Sequence, residues 1–186
     1  MKEGLLEETA KVLLKVDEKQ IALAVDLLFD CWKEKVTVYI FGNGGSAATS
    51  SHFSSDLIKW ASNFTLRSIC LSDNVPLLTA IANDLGFGMI FYSQLLNLRS
   101  FDLVVAFSVH GGRIFSDNLT RAFRLAEEKN VGRISFTGHD GGKLKELSTV
   151  NINVPSESTP IIEGLHSVLA HVVVEELRKR IEGESK

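Results

Sequence analysis

The chain has 186 residues, of which 45% are hydrophobic and 23% charged, with a formal net charge of −3. This composition favours one well-buried domain, and the scattered Lys and Arg residues do not form the basic patch that nucleic-acid binding requires. The start of the chain lacks the apolar core of a signal peptide, no apolar run approaches the roughly 20 residues that span a bilayer, and the two cysteines form no C-x-x-C motif. We therefore expect a cytoplasmic protein with no nucleic-acid or membrane partner.

Apolar residues recur at helical spacing in the first part of the chain, over 5–14 and again over 21–32. The pattern breaks near Val16–Asp17. It predicts an N-terminal helical hairpin over 1–35, which packs either on the domain or in an oligomer interface.

Short apolar, β-branched runs follow the hairpin and predict strands at 36–41, 67–71, 102–107, 132–137 and 149–154. Helical patterns separate them, at 45–60, 75–98, 115–130 and 141–148, and a last helix is expected at about 159–181. Strands that alternate with helices indicate a parallel sheet covered on both faces. We predict one domain over 1–186, an α/β three-layer αβα sandwich with a five-stranded parallel sheet of flavodoxin-like order.

Two loops lie where such a sheet binds ligands, at the carboxyl ends of its strands on either side of the switch point. Loop 1, residues 42–48, combines three glycines with Asn43 and Ser46 immediately before a helix. Glycines let the backbone approach a ligand, and free N–H groups at a helix start favour an anion. Ser46 could cap this helix or donate its hydroxyl to a phosphate or sugar oxygen. Loop 2, residues 108–118, follows the third strand and could hold the same ligand.

Loop 1 also satisfies G-x-G-x-x-A, the dinucleotide-binding pattern, through Gly42, Gly44 and Ala47. That pattern requires an acidic residue at the end of the second strand, where this chain has Ile69, Cys70 and Leu71. The helix after loop 1 is rich in hydroxyl groups and carries His52. These groups suit a sugar better than a nicotinamide cofactor, so we favour a sugar ligand.

Longer motifs resemble those of bacterial phosphoheptose isomerases, which have the sugar isomerase (SIS) fold. They are GNGGSAATSSHFSSDL (42–57), LSDNVPLLTAIANDLGFGMIF (71–91), FTGHDGGKLKEL (136–147) and E-x-x-H-x-x-x-x-H (163–171). The resemblance implies an aldose–ketose isomerase that converts sedoheptulose 7-phosphate to D-glycero-D-manno-heptose 7-phosphate. It further implies zinc and a homotetramer with active sites between subunits.

The resemblance assigns roles to individual residues. Asp56 and His171 match the catalytic acid and base, although Asp56 stands where the family has Glu. The metal-binding positions are His52, Asp56, Glu163 and His171, with Glu163 in place of a family Gln. The substrate-binding positions are Asn43, Gly44, Gly45, Ser46, Asn83, Asp84, Ser108, Val109, His110, Ser116 and Glu163, and Arg113, which has no family counterpart, is added to them as a candidate phosphate ligand.

Loop 2 departs from the family pattern. Ser108, Val109 and His110 replace a Ser-Thr-Ser that grips phosphate, and three extra residues, 113–115, precede Ser116. Arg113 and His110 could bind phosphate instead, Arg through charge-assisted hydrogen bonds. These changes, with the shorter carboxylate of Asp56, leave open an alternative. The chain could be a non-catalytic phosphosugar-binding or protein-interaction SIS protein, like the relative that binds a replication initiator.

The last predicted helix offers two histidines. At 100° per residue His166 and His171 lie about 140° apart, so one metal ion cannot easily use both. Periodicity does not choose between them, whereas the resemblance assigns the role to His171.

Overall fold

A computed structural model describes residues 4–113 and 115–184. One parallel sheet has the strand order β2-β1-β3-β4-β5. The strands are β1 Thr37–Gly42, β2 Arg67–Cys70, β3 Leu103–Ser108, β4 Gly132–Gly138 and β5 Val150–Val154. This is the predicted flavodoxin-like order, and it places the switch point between β1 and β3.

The helices are α1 Leu5–Leu13, α2 Glu18–Glu34, α3 Gly45–Asp56, α4 Val75–Leu85, α5 Asp117–Glu128, α6 Gly142–Leu147 and α7 Thr159–Glu184. The hairpin of α1 and α2 is confirmed, and Asp17 starts α2 by accepting a hydrogen bond from the Lys19 N–H. Among the described residues, no helix has the length and apolar character needed to cross a membrane.

Apolar residues cover both faces of the sheet, as a parallel sheet requires. On one face, α2, α3 and α7 share a core with alternate residues of β1, β3, β4 and β5. On the other face, α5, Leu144 of α6 and the segment 90–98 pack against the remaining residues of the central strands. All six residues of β3 are buried, because this strand lies in the middle of the sheet. The three-layer αβα architecture is therefore confirmed.

Two helix predictions need correction. The helix predicted over 75–98 ends at Leu85, because Gly86 adopts a φ of +90° that ends the helix, and two short 3₁₀ turns follow at Phe87–Met89 and Ser93–Leu95. The helix predicted over 45–60 is α-helical only to Asp56 and continues as a π-helical turn, Leu57–Ala61. The extra residue Ile114 of loop 2 lies outside the described residues.

Candidate active site

Three side chains with metal-binding and acid–base chemistry meet where α3 lies against α7. His52 and Asp56 stand four residues apart, on one face of α3, and His171 approaches from α7. The Nε2 atoms of His52 and His171 are 3.0 Å apart. The Asp56 Oδ2 atom lies 3.1 Å from His52 Nε2 and 3.5 Å from His171 Nε2. These three residues, from one chain, are called the His–Asp–His group below.

Small residues on α3 let α7 come close. The helix is mostly Gly, Ala, Ser and Thr, and the Thr49 hydroxyl lies 3.3 Å from the Ser167 hydroxyl of α7. A π-helical turn begins directly after Asp56, and such turns are rare and often found at functional sites. The crossing of these helices therefore sets the distances within the His–Asp–His group.

The hydrogen bonds of His171 fix its protonation pattern. Its Nδ1 lies 2.8 Å from the backbone carbonyl oxygen of Ser167, which can only accept, so Nδ1 carries the proton. In the neutral ring Nε2 then presents a lone pair to His52 and Asp56. This arrangement is typical of a histidine that binds a metal through Nε2 while its other nitrogen donates to a carbonyl group.

The His–Asp–His group fits a zinc ion. Among the described residues it is the group whose nitrogen and oxygen ligand atoms all lie within 4.8 Å of one another. Ligand atoms about 2.1 Å from a tetrahedral zinc are separated by about 3.4 Å, close to the spacing of these three atoms. Two imidazole nitrogens and a carboxylate oxygen are a donor set that zinc accepts.

Glu163 and His166 lie outside this group. The Glu163 carboxylate lies against Gly45, with Oε1 2.8 Å from the point that a Cβ on Gly45 would occupy. It therefore faces the first residue of α3, where a negative charge is favoured. His166 is 1% exposed and makes edge-on contacts with the stacked rings of Phe107 and Phe136, and burial lowers its pKa to about 4. The structure thus separates the two histidines of α7, with His171 in the group and His166 in the core.

Loop 1 is shaped by its glycines. A Cβ on Gly42 would lie 2.6 Å from the Ser46 carbonyl oxygen, and Gly44 has a φ of +56°. The residue that precedes the first turn of α3 is Gly44, so Ser46 is inside the helix and is not its cap. The Ser46 side chain is buried. Gly44 and Gly45 are exposed, so their backbone N–H groups are available at the start of α3.

Asn43 joins loop 1 to loop 2. Its side-chain amide donates to Asn118 Oδ1 at 3.0 Å and accepts from Asn118 Nδ2 at 2.8 Å. The donor and the acceptor of Asn43 are therefore both engaged within the protein. This side chain holds the two loops together at the switch point.

Loop 2 buries the first of its predicted ligand residues. Ser108 ends β3 and its hydroxyl oxygen accepts a hydrogen bond from the Gly112 N–H at 3.4 Å. Val109 is also buried, whereas His110 is exposed. Of the three positions that replace Ser-Thr-Ser, His110 is thus the one with a polar side chain in contact with solvent.

The rest of loop 2 is docked on the turn between β4 and α6. The Arg113 guanidinium donates to Asp140 in an ion pair, and the same carboxylate accepts from the Gly142 N–H at 3.0 Å. These bonds, first that from Gly142 and then that from Arg113, hold the pKa of the Asp140 carboxyl below its usual value. Ser116 precedes α5, where its N–H donates to the Arg113 carbonyl oxygen at 2.9 Å.

Asn83 and Asp84 lie near the exposed end of α4. The Asn83 amide donates to the Asp84 carboxylate at 2.8 Å. Among the described residues, no hydrogen bond joins this pair to the His–Asp–His group. The role of these two residues in substrate binding stays a prediction.

Sequence reasoning gave no role to Ser167, Asn118 or His139. Ser167 orients His171 through its carbonyl group, a main-chain contact for which no sequence signal exists. Asn118 could have been found from the Ser-x-Asn pattern at the start of α5. His139 follows β4 at the same sheet edge as both loops, and position at that edge was the available signal.

Comparisons with known proteins agree with this geometry. A family model described as SIS domain matches residues 5–138. The chain is 37% identical to the lincomycin biosynthesis protein LmbN of Streptomyces lincolnensis, over 91% of this chain and 66% of that protein, so it spans about two thirds of that relative. It is 35% identical to the phosphoheptose isomerase of Geotalea daltonii, over 90% of this chain and 87% of the relative.

Solved structures give the same result. The phosphoheptose isomerase GmhA of Neisseria gonorrhoeae superposes with a TM-score of 0.80 and 31% identity, covering 92% of this chain and 90% of that one. A phosphoheptose isomerase of Francisella tularensis superposes with a TM-score of 0.82 at 24% identity, which shows the shared fold.

Proposed function

The chain belongs to the phosphoheptose isomerase family of SIS-domain proteins, and from this membership we propose that it isomerises sedoheptulose 7-phosphate to D-glycero-D-manno-heptose 7-phosphate, or a closely related sugar phosphate. The observation that carries the proposal is the 3.5 Å distance between the Asp56 carboxylate and the His171 Nε2 atom. A carboxylate and an imidazole at this distance can serve one substrate as base and acid.

Isomerisation of a ketose moves protons between neighbouring carbon and oxygen atoms. A base takes a proton from C1 while the C2 carbonyl oxygen gains one, which gives an enediol; C2 then gains a proton as the C1 hydroxyl loses one. Asp56 is suited to the carbon-bound proton, because its carboxylate is less exposed than either ring of the group. His171 is suited to the protons on oxygen, since imidazole exchanges protons near neutral pH.

We further propose that the His–Asp–His group holds zinc through His52 Nε2, Asp56 Oδ2 and His171 Nε2, with Glu163 as the fourth ligand after a rotation of its side chain. With zinc bound, the second oxygen of Asp56 stays free to act as the base, whereas His171 acts at the oxygen end as a ligand and no longer exchanges a proton there. A bound zinc ion would stabilise the negative charge that develops on the enediolate oxygens. In the described structure Glu163 instead faces Gly45, so three ligands support this proposal directly.

The predicted phosphate end lies apart from the His–Asp–His group. His52 comes seven residues after Gly45, which corresponds to about 10 Å along α3. A phosphorylated sugar has several carbon atoms between its carbonyl group and its phosphate, so it could span this separation. We propose that loop 1 and loop 2 bind the phosphate. The contacts are the exposed N–H groups of Gly44 and Gly45, the His110 ring and the Arg113 guanidinium. Four further residues shape the loops: Ser46, Ser108, Val109 and Ser116.

We also propose a homotetramer, because apolar surface is left uncovered in two places. A groove of about 810 Å³ between α1, α2 and α7 is lined by apolar residues that include Leu13, Leu14 and Val172. Leu14 is 86% exposed. The second uncovered surface is that of α4, which has no buried residue although most of its side chains are apolar. A second copy covering α4 would also bring Asn83 and Asp84 beside another surface. A cytoplasmic location stays a prediction.

The non-catalytic alternative is not favoured. Relatives at 35% and 31% identity are named isomerases, and the chain covers 87% and 90% of their length. The shorter carboxylate of Asp56 was a reason for this alternative, yet Asp56 lies within 3.5 Å of both histidines.

The proposal is tested by incubating the protein with sedoheptulose 7-phosphate in D2O, with and without added zinc, and following the aldose product by NMR. We expect an aldose 7-phosphate that carries deuterium at C2. The substrate passes through an enediol, and C2 of this enediol takes up a proton that has exchanged with the solvent. Asp56→Asn and His171→Asn should each lose most of the turnover, whereas Asp30→Asn, at an exposed site on α2, should keep it. Complete inertness of the zinc-loaded protein toward this and other ketose phosphates would overturn the proposal.

A further inference from the structure

His139, the first residue after β4, is held in an unusual backbone conformation. Its φ is +52°, a left-handed value that non-glycine residues rarely adopt. Two hydrogen bonds maintain it: the His139 N–H donates to the Ser156 carbonyl oxygen at 3.1 Å, and the Asn153 side chain donates to the His139 carbonyl oxygen at 3.1 Å. Strained backbone of this kind is concentrated at ligand-binding sites, so the position of this ring calls for a functional reason.

The His139 ring is oriented but incompletely paired. Its Nδ1 lies 2.5 Å from Glu157 Oε2, and because a carboxylate accepts, Nδ1 carries a proton. The opposite nitrogen, Nε2, is shielded from solvent and has no hydrogen-bond partner among the described residues. A shielded polar atom without a partner is uncommon in native proteins and calls for an explanation, such as a ligand or a water molecule that completes it. The other such atom among the described residues, His166 Nε2, lies in the core, so His139 is singled out by its position beside loop 2.

The ring stands beside loop 2. Its centroid is 5.0 Å from that of His110, an exposed polar residue of that loop. The loop cannot easily move away from this turn, since the Leu144 N–H donates to the Gly111 carbonyl oxygen at 2.9 Å. A Cβ on Gly111 would also lie 2.1 Å from the Gly141 carbonyl oxygen, which shows how closely the two segments pack.

Positive charge is in slight excess near this turn. His139 lines a cavity of about 530 Å³ together with Lys11, Lys15, Glu8 and Glu157. The neighbouring cavity, which His139 does not line, adds Arg113, Lys143 and Lys145 against Asp140 and Glu146. Five cations against four carboxylates around this turn give a small excess of positive charge, which favours an anionic group.

We propose that His139 binds the phosphate of the substrate through Nε2, next to His110, and that Glu157 is its positioning residue. The inference rests on the proposed function and adds to it a residue from the β4 turn. Glu157 accepts the Nδ1–H and so fixes the ring with Nε2 toward the ligand, where Nε2 binds a phosphate oxygen through a shared proton. Glu157 is 88% exposed on its side chain, so it acts by orienting the ring and its removal should matter less than removal of the ring.

The test is the binding of inorganic phosphate and of sedoheptulose 7-phosphate to the full-length protein, measured by calorimetry at pH 7, together with KM and kcat. His139→Asn is the main variant, because Asn tolerates a left-handed backbone but has no imidazole. We expect both affinities to fall at least tenfold and KM to rise equally, while kcat changes less than threefold. Glu157→Gln should weaken binding about threefold, and Glu128→Gln, an exposed carboxylate at the end of α5, should change nothing.

Two outcomes would overturn the inference. One is a phosphate affinity of His139→Asn that stays within twofold of that of the unaltered protein. If only the melting temperature of this variant falls, the residue is structural, and the inference is overturned as well. The other is the absence of phosphate binding by the unaltered protein. Phosphate binding that depends on His139 in a protein without turnover would support this inference while contradicting the proposed isomerase activity, so the two failures are distinguishable.

Discussion

Asn43 and Asn118 bind each other through two reciprocal amide hydrogen bonds, of 3.0 and 2.8 Å, across 75 residues of sequence. Asn43 belongs to loop 1, and Asn118, 1% exposed, is the last residue of loop 2 and lies in the first turn of α5. Each amide uses one donor and its acceptor on the other. The pair therefore fixes the separation of the two loops that we propose to bind phosphate.

Asn118→Leu should weaken both the fold and the ligand loops. It leaves the Asn43 amide without its partner in a half-buried place, which costs about 1–3 kcal/mol of unfolding free energy. Urea unfolding measures this loss, and KM for the sugar phosphate should rise with it. In a double-mutant cycle with Asn43→Ala, the two effects on stability should fall short of additivity by about 1 kcal/mol. Full additivity would show that the amide pair contributes nothing as a pair.

Removal of zinc should lower both activity and thermal stability. A ligand present at 100 times its Kd stabilises the folded state by about 2.7 kcal/mol, so chelation should lower the melting temperature by several degrees. His52→Ala should abolish binding of one zinc per chain, as measured by elemental analysis of the purified protein. His166→Gln changes a histidine outside the group and serves as the control that keeps the metal. Equal zinc content in both variants would rule out the proposed ligands.

Asp56→Glu should reduce turnover although it restores the family residue. The extra methylene moves the carboxylate by about 1 Å relative to the His52 and His171 nitrogens, and a misplacement of about 1 Å can cost roughly 100-fold in rate. We expect kcat to fall ten- to a hundredfold with little change in KM. A rise in kcat would instead mean that Asp56 is poorly placed in the natural protein.

Acid should destabilise the protein partly through His166. Burial lowers its pKa to about 4, below the 6.5 of the unfolded chain, so the unfolded state binds the additional proton between these values. The stabilisation is present above pH 6.5 and is lost as the pH falls toward 4, and it amounts to about 3 kcal/mol at 1.36 kcal/mol per pKa unit.

Unfolding free energies of the natural protein and of His166→Gln, measured from pH 7 to pH 4.5, check this pH dependence. Glutamine does not titrate, so the difference between the two proteins should shrink as the pH falls. A constant difference would contradict the assigned pKa.

Much of the fold could be predicted because its signals are local. Each strand is a short apolar run, and each begins and ends within about one residue of its predicted bounds, as β3 at Leu103–Ser108 illustrates. The end of α4 was missed because residues after Gly86 continue a helical apolar pattern, while the positive φ at Gly86 is a property of the folded backbone.

The site was predictable to the extent that it follows a motif. The resemblance chose His171 over His166, and the structure places His171 beside His52 and Asp56. The orientation of Glu163 toward Gly45 and the Glu157–His139 contact depend on how separate elements pack, and neither has a signature in residue spacing.

Because α3 and α7 come from the same chain, every separated subunit inherits the complete pair of histidines with its carboxylate. Ion capture should then survive dilution that breaks the assembly, whereas catalysis should not if a neighbouring copy completes the pocket. At low protein concentration the metal content per chain should therefore stay constant while the specific activity declines.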